Sequence, residues 1–197
     1  ERSAIVLGDE TIAALSDKKI AVFGLGGVGA AAAMDLVRIG VGTLYVIDFD
    51  DIMPSNLNRL IFGFADTVGM QKVDVLREFG RKINPHLEVV SMAKFMTGES
   101  ISDHIPDDAD FYIDAIDSLN PKINLIAALI EKKKPFISSM GTGGRMDPTA
   151  LKIMNIWDTA GCPLAYMVRK RLRKRGVFAP FDVIFSDEPP ADTKENL

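Results

Sequence analysis

The sequence predicts an α/β fold: a mostly parallel sheet with helices on both faces and a C-terminal extension. Three observations predict it. Short apolar runs alternate with helical patterns through most of the chain. A glycine-rich turn, Gly24-Leu25-Gly26-Gly27-Val28-Gly29, joins the first apolar run to the first strong helical pattern. The 197 residues, 47% hydrophobic and 25% charged, suffice for one domain with a sizeable core and are too ordinary in composition for disorder.

Residues 19–23 read as a buried strand, and 27–39 as an alanine-rich helix closed by Gly40. A second strand spans 43–48. The helical pattern over 71–83 stops at Asn84-Pro85, because the residue before proline is pushed out of the helical region. Strands follow at 87–92 and 111–115, then a helix at 121–133 that opens on proline, then a strand at 135–139. The character changes after that. Residues 140–148 form a glycine-rich loop, 151–155 a strand, 164–175 a basic helix and 182–185 a short strand, and the polar tail from Asp187 is expected to fray. A single domain is expected over 1–197, with a nucleotide-binding core at 19–139 and an extension of the same sheet at 140–197.

Charge and cysteine content narrow the function. Twenty-three basic residues against 27 acidic ones leave a net charge of −4, which excludes a globally basic nucleic-acid binder but not a local basic patch. Cys162 stands alone, so neither an internal disulfide nor a cysteine-built zinc site can form, and two histidines, His86 and His104, leave little room for a histidine metal centre. No apolar run reaches the roughly 18 residues of a membrane span. Glu1 is not an initiator residue, so upstream residues are expected; a soluble, cytoplasmic protein is the default reading.

The glycine turn follows a strand and opens a helix, the context a Rossmann-like nucleotide fingerprint requires. Its glycines let a phosphate approach the helix N-terminus, where free N–H groups and the dipole favour anions. Asp48, 19 residues after Gly29, ends the second strand, where a carboxylate can accept from ribose hydroxyls. The fingerprint alone suits NAD and hydride transfer. The segment from Asp48 to Arg59 argues for ATP, with Asp48, Asp50 and Asp51, the amides Asn56 and Asn58, and Arg59. Lys72 opens the next helix, and Asp114 and Asp117 flank the end of the fourth strand, where α/β sheets place ligands. Arg59 and Lys72 can neutralise a triphosphate, and Asp117 can hold Mg²⁺ through hard oxygens.

These residues resemble the ThiF/MoeB/HesA superfamily of ATP-dependent adenylating enzymes, related to ubiquitin activators. The resemblance rests on G-L-G-G-V-G, the D-F-D pair at Asp48 and Asp50, S-N-L-N-R at 55–59, V-G-x-x-K at 68–72, I-N-P at 83–85 and D-A-I-D at 114–117. It implies an ATP site made by Gly24, Gly26, Gly27, Gly29, Asp48, Asp50, Ser55, Asn56, Asn58, Arg59, Lys72, Asp117 and Ser118. Asp48 would bind ribose, Asn56 and Asn58 would line the phosphates, and Lys72 would contact phosphate. Asp117 would ligate Mg²⁺. Arg59 would reach the triphosphate of a neighbouring subunit in a homodimer. Many relatives have Gln after that arginine; here it is Leu60.

Carrier-protein adenylators of this superfamily usually hold two C-x-x-C pairs for zinc, and this chain has none. The M-G-T-G-G-R-M-D-P-T stretch at 140–149, C-P-L-A at 162–165, the basic helix and Phe185-Ser186 instead resemble the TcdA (CsdL) family of tRNA threonylcarbamoyladenosine dehydratases. That resemblance implies ATP-dependent activation of the threonyl carboxylate on a modified tRNA adenosine, then ring closure with net loss of water. Adenylation of a ubiquitin-like sulfur carrier is the alternative, and a non-catalytic nucleotide-binding scaffold in a sulfur-relay assembly is a third reading.

Two features stay open. Cys162, before Pro163 at a helix start, is either a packed small residue or a reactive thiol for a thioester or a sulfur-relay persulfide. Arg169, Lys170, Arg171, Arg173, Lys174 and Arg175 fill six of seven positions. They form either a solvated helix end that complements the dipole or a tRNA phosphate contact, and the excess over the two or three a dipole needs favours tRNA.

Overall fold

A computed structural model describes residues 2–93 and 101–191. Two short helices, α1 (Arg2–Leu7) and α2 (Asp9–Leu15), precede the sheet. Then come β1 (Lys19–Phe23), α3 (Gly27–Ile39), β2 (Thr43–Ile47), α4 (Lys72–Ile83), β3 (Glu88–Met92), β4 (Phe111–Asp114), α5 (Leu119–Glu131), β5 (Phe136–Ser139), β6 (Leu151–Asn155), α6 (Pro163–Lys174) and β7 (Asp182–Ser186). The expected strands and helices form within a few residues of their expected limits. α5 starts at Leu119, ahead of Pro121, because a first-turn residue needs no N–H partner inside the helix. α1 and α2 lie outside the expectation. They bury no residue, and Ile5 and Val6 are exposed, so no core-facing periodicity marks them.

The seven strands form one sheet in the order β3-β2-β1-β4-β5-β7-β6. Neighbours are parallel except β6 and β7. The strands read as continuous apolar runs because both faces are covered. In β1, Val22 joins the core under α3 and α4 while Ala21 and Phe23 join the core on the opposite side, under α5. A third cluster packs α6 on α5 and on Val183 and Phe185 of β7. α3 ends at Gly40, whose φ of 97° is left-handed and whose N–H caps the Leu36 carbonyl.

The chain passes from β1 through β2 to β3 on one side, then returns to β4 on the other side of β1. This reversal opens a crevice at the carboxyl ends of β1 and β4, the general ligand position of such sheets. The tail is less loose than expected. The Glu188 carboxylate accepts from the Met146 and Asp147 N–H groups, Asp187 pairs with Lys152, and the Ala191 N–H bonds the Gly144 carbonyl at 2.7 Å. Residues 192–197 lie outside the described part.

Candidate active site

The crevice holds a cavity of about 570 Å³. One wall is the glycine turn. Gly24 has a φ of 87°, and a Cβ there would stand 2.8 Å from the Ala115 carbonyl oxygen. A Cβ on Gly29 would stand 1.8 Å from the Gly24 carbonyl oxygen, so Gly29 shapes the turn from below instead of lining the cavity. Gly26 precedes the first residue of α3 without a side-chain cap. The N–H groups of the first helical turn therefore face the cavity with no side chain occupying them, an arrangement suited to phosphate.

The second wall is the segment after β2. An isolated bridge between Asp51 and Gln71 folds residues 48–51 against the start of α4. This brings Lys72 to Asp50 at 2.7 Å and to Asp48 at 3.8 Å. Lys72 is buried and its ammonium is engaged by these two carboxylates on the cavity wall. Asp48 lines the cavity and also braces the glycine turn. Its Oδ2 accepts from the Leu25 N–H at 2.5 Å and its Oδ1 from the Asp50 N–H at 2.8 Å, and its side chain is 8% exposed. Burial pushes its pKa above the ordinary carboxylate value, opposed by those two N–H groups and by Lys72. Asp48 thus braces the glycine turn, and Asp50, 49% exposed on its side chain, presents the accessible carboxylate.

Arg59 lies along the cavity of its own chain. A Cβ on Gly27 would meet the Arg59 stem at 3.3 Å. The guanidinium donates to the Ser55 carbonyl at 2.9 Å and to Asn58 Oδ1 at 3.0 Å. Ser55 and Asn58 therefore support Arg59 and do not line the cavity, whereas Asn56 does line it and caps its own turn through the Met53 N–H. The short 54–59 turn lays the Arg59 stem against Gly27 of its own chain.

The third wall is the turn from Ala115 to Ser118. Asp117 is exposed, and its Oδ1 accepts from Ser118 Oγ at 3.3 Å. Ser118 is the N-cap residue of α5, so Asp117 is not consumed as a cap. Asp114, expected near the ligand, is instead fully buried behind this turn. The sequence reading passed over the apolar lining of Val28, Phe49, Ile116 and Pro121, which gives a flat base somewhere to pack; Phe49 stands between the two aspartates of the D-F-D signature.

The extension is oriented by α6. Cys162 lies near Gly141, just beyond the carboxyl end of β5, while Arg173 sits over Trp157, whose neighbour Ile156 bonds Phe181 ahead of β7. α6 therefore runs from the cavity edge of the sheet to the opposite edge. At 1.5 Å per residue, Lys170 to Arg175 lie about 10–18 Å below its start. Arg169 donates to Thr159 Oγ1 and to the Ile156 carbonyl, so it and Arg173 are engaged by their own chain. Lys170, Arg171, Lys174 and Arg175 are exposed and form a stripe of i, i+4 pairs. Lys132 and Lys134, at the end of α5, pair with Asp107.

Cys162 is buried, and its sulfur caps α6 by accepting from the Ala165 N–H at 3.5 Å. Serine is a good N-cap, so Cys162→Ser is expected to keep turnover and melting temperature close to the parent's. Loss of turnover with nucleotide binding intact would assign the sulfur a covalent role.

The ThiF family model matches residues 1–180. The chain belongs to the ThiF family. Among ThiF-family relatives, the tRNA threonylcarbamoyladenosine dehydratase of Bacillus subtilis (strain 168) is 38% identical over 196 residues, which is 100% of this chain and 77% of that protein. The crystal structure of Escherichia coli TcdA, a tRNA N6-threonylcarbamoyladenosine dehydratase, in complex with AMP superposes with a TM-score of 0.94 at 34% identity over 99% of this chain and 82% of that one. Its ATP complex superposes with a TM-score of 0.91, also at 34% identity, over 97% and 82%. The ThiS adenylyltransferase of E. coli (strain K12), named for a sulfur carrier protein, is 32% identical over 134 residues, 67% of this chain and 53% of that protein.

Proposed function

We propose that this chain is an ATP-dependent tRNA-modifying enzyme that activates the carboxylate of threonylcarbamoyladenosine and lets the substrate close a ring with net dehydration. The observation that carries this reading is the convergence of a helix N-terminus, Arg59, Lys72 and Asp117 on one cavity, in a chain that matches the dehydratases along its whole length. A carboxylate is a poor electrophile, because its leaving group would be oxide. Attack by its oxygen on the α-phosphorus of ATP forms an acyl adenylate and releases pyrophosphate. The substrate's own carbamoyl group then attacks the acyl carbon and AMP departs with the carboxylate oxygen, so no nucleophilic side chain is needed.

The side chains position and neutralise. The N–H groups at Gly26 and Gly27 and the Arg59 guanidinium receive phosphate oxygens, and Lys72 joins them on leaving Asp50. Asp48, on the cavity wall with acceptor capacity left on both oxygens, receives ribose hydroxyls. Mg²⁺ fits Asp117, a hard oxygen donor on the cavity wall, and when bound it supplies positive charge to the phosphates. Among the described residues no group of three or more His, Cys, Asp or Glu could hold a metal, so the ion would be shared between Asp117 and the nucleotide, as Mg²⁺ usually is in phosphoryl chemistry.

A tRNA arm is taken along α6, with phosphates on Lys170, Arg171, Lys174 and Arg175 and the modified base at the cavity edge. The exposed apolar residues Phe49, Met53, Ile61, Phe64, Val68 and Met70, all in the segment between β2 and α4, support a homodimer. The cytoplasm is the compartment that fits this substrate. Cys162, buried, lends no support to a sulfur-relay role.

The deciding experiment is ATP turnover with tRNA bearing threonylcarbamoyladenosine, set against a ubiquitin-like carrier with a Gly-Gly tail. Turnover with tRNA alone is expected, and turnover with the carrier alone would overturn the reading. The Gln variant of Lys170, Arg171, Lys174 and Arg175 is expected to flatten log affinity for tRNA against log salt by roughly three to three and a half, at about 0.7–0.9 for each of the four lost contacts. ATP affinity should stay constant. An unchanged slope would remove α6 from the tRNA interface.

A further inference from the structure

Directly behind the turn that carries Asp117 lies a closed polar cluster that the site described above does not use. Asp114 ends β4, Ser138 faces it in register on β5, and Lys122 stands in the first turns of α5. All three are 0% exposed. Lys122 Nζ donates to Asp114 Oδ2 at 2.7 Å and to Ser138 Oγ at 3.2 Å, and Ser138 Oγ donates to the same Oδ2 at 2.5 Å. The other oxygen, Oδ1, accepts from the Ile116 N–H at 3.1 Å, inside the cavity turn.

This arrangement is costly as a source of stability. Both charges are stripped of water, and the ammonium sits near the positive end of the α5 dipole. A buried ion pair of this kind is often matched or bettered in stability by apolar residues of equal volume. What the pair does is geometric. One carboxylate joins β4, β5, α5 and the turn at Ile116, so the turn cannot move without breaking a buried bond. The same turn interlocks with the glycine wall, because a Cβ on Gly24 would stand 2.8 Å from the Ala115 carbonyl oxygen and one on Gly29 would stand 3.0 Å from Ala115 Cβ. A displacement at Ile116 therefore reaches both the nucleotide turn and Asp117.

We infer that Lys122 is a positioning residue for nucleotide chemistry: through Asp114 and the Ile116 N–H it sets the turn that presents Asp117 to the triphosphate. The inference rests on the ATP reading given above. Lys122 touches no substrate and acts only through Asp114.

The test compares Lys122→Met, the double variant Asp114→Asn with Lys122→Met, and Lys122→Arg. The single change strands a buried carboxylate and can unfold the chain on that ground alone. The double change removes both charges at similar volume, so its melting temperature is expected to match or exceed the parent's. Fluorescent ATP-analogue binding, melting temperature, and kcat and KM for ATP are measured on each. For the double variant, kcat is expected to fall at least about tenfold, the loss that follows from a misplacement of order one ångström. Its nucleotide affinity should fall by less than kcat, because Arg59 and Lys72 lie on segments that the cluster does not touch. Lys122→Arg, which restores a cation, should recover part of kcat. A folded double variant with parental kcat would overturn the inference, as would a loss confined to melting temperature. Failure of the ATP reading itself is told apart by the parent protein, which in that case would show no ATP turnover at all.

Discussion

Replacement of Asp117 by alanine is expected to lower ATP turnover at least about a hundredfold, the scale of removing one preorganised electrostatic stabiliser, and to leave the fold unchanged. Asp117 is exposed on the cavity wall, its carboxylate accepts from the Ser118 hydroxyl, and Ser118 itself holds the N-cap position of α5. Nothing in the packing depends on its carboxylate, so circular dichroism and melting temperature should match the parent. The chemistry does depend on it. Adenylyl transfer gathers negative charge on the oxygens around the α-phosphorus, and without Asp117 the cavity loses the carboxylate proposed to hold the divalent cation that would offset it. Turnover within a factor of a few of the parent, in a folded variant, would remove Asp117 from the site.

The second large effect separates two glycines of one turn. Gly29→Ala would place a methyl 1.8 Å from the Gly24 carbonyl oxygen, a backbone atom that cannot rotate away. Overpacking of this severity is expected to cost at least about 3 kcal/mol. In a chain of this length that corresponds to a drop in melting temperature of roughly 10 °C. Gly26→Ala meets nothing within 4 Å and sits at a φ of −77°, which alanine adopts without strain. That variant should melt with the parent yet bind ATP much more weakly, because its methyl stands where a phosphate approaches α3. Thermal melts and nucleotide titrations on both variants check the pair. Equal losses of stability would mean that the turn is only a packing element.

The legible part of the fold was the part whose physics is local. Ile20 to Phe23 announces a strand because both of its faces are covered, and Gly40 announces a helix end because its left-handed conformation suits glycine. Strand order was harder. The short run over Asp182–Ser186 reads as a strand, but its place between β5 and β6 depends on α6 crossing the sheet first. In the site, spacing placed Asp48 and Asp117 at strand ends. It did not reveal that Asp48 also braces the glycine turn through two backbone N–H groups or that Asp50 pairs with Lys72, because the Asp51–Gln71 bridge joins residues distant in sequence. Nothing in the sequence marks Lys122, since a buried partner on a neighbouring strand leaves no trace in local periodicity. The same holds for Arg169 and Arg173, whose anchors lie on the segment before α6.

The position of β7 between β5 and β6 has a consequence for how the chain is made. During synthesis β6 leaves the ribosome well before β7, yet β7 is its one strand neighbour. The backbone groups of Leu151–Asn155 thus wait unpaired until residues 182–186 emerge. When β7 arrives it pairs with β5 on one side and β6 on the other and closes the cluster beneath α6 in the same event. The nascent extension therefore assembles in one late step, and a chain interrupted before Asp182 displays an open β5 edge and a bare apolar face of α6 to the chaperones and proteases that survey new proteins.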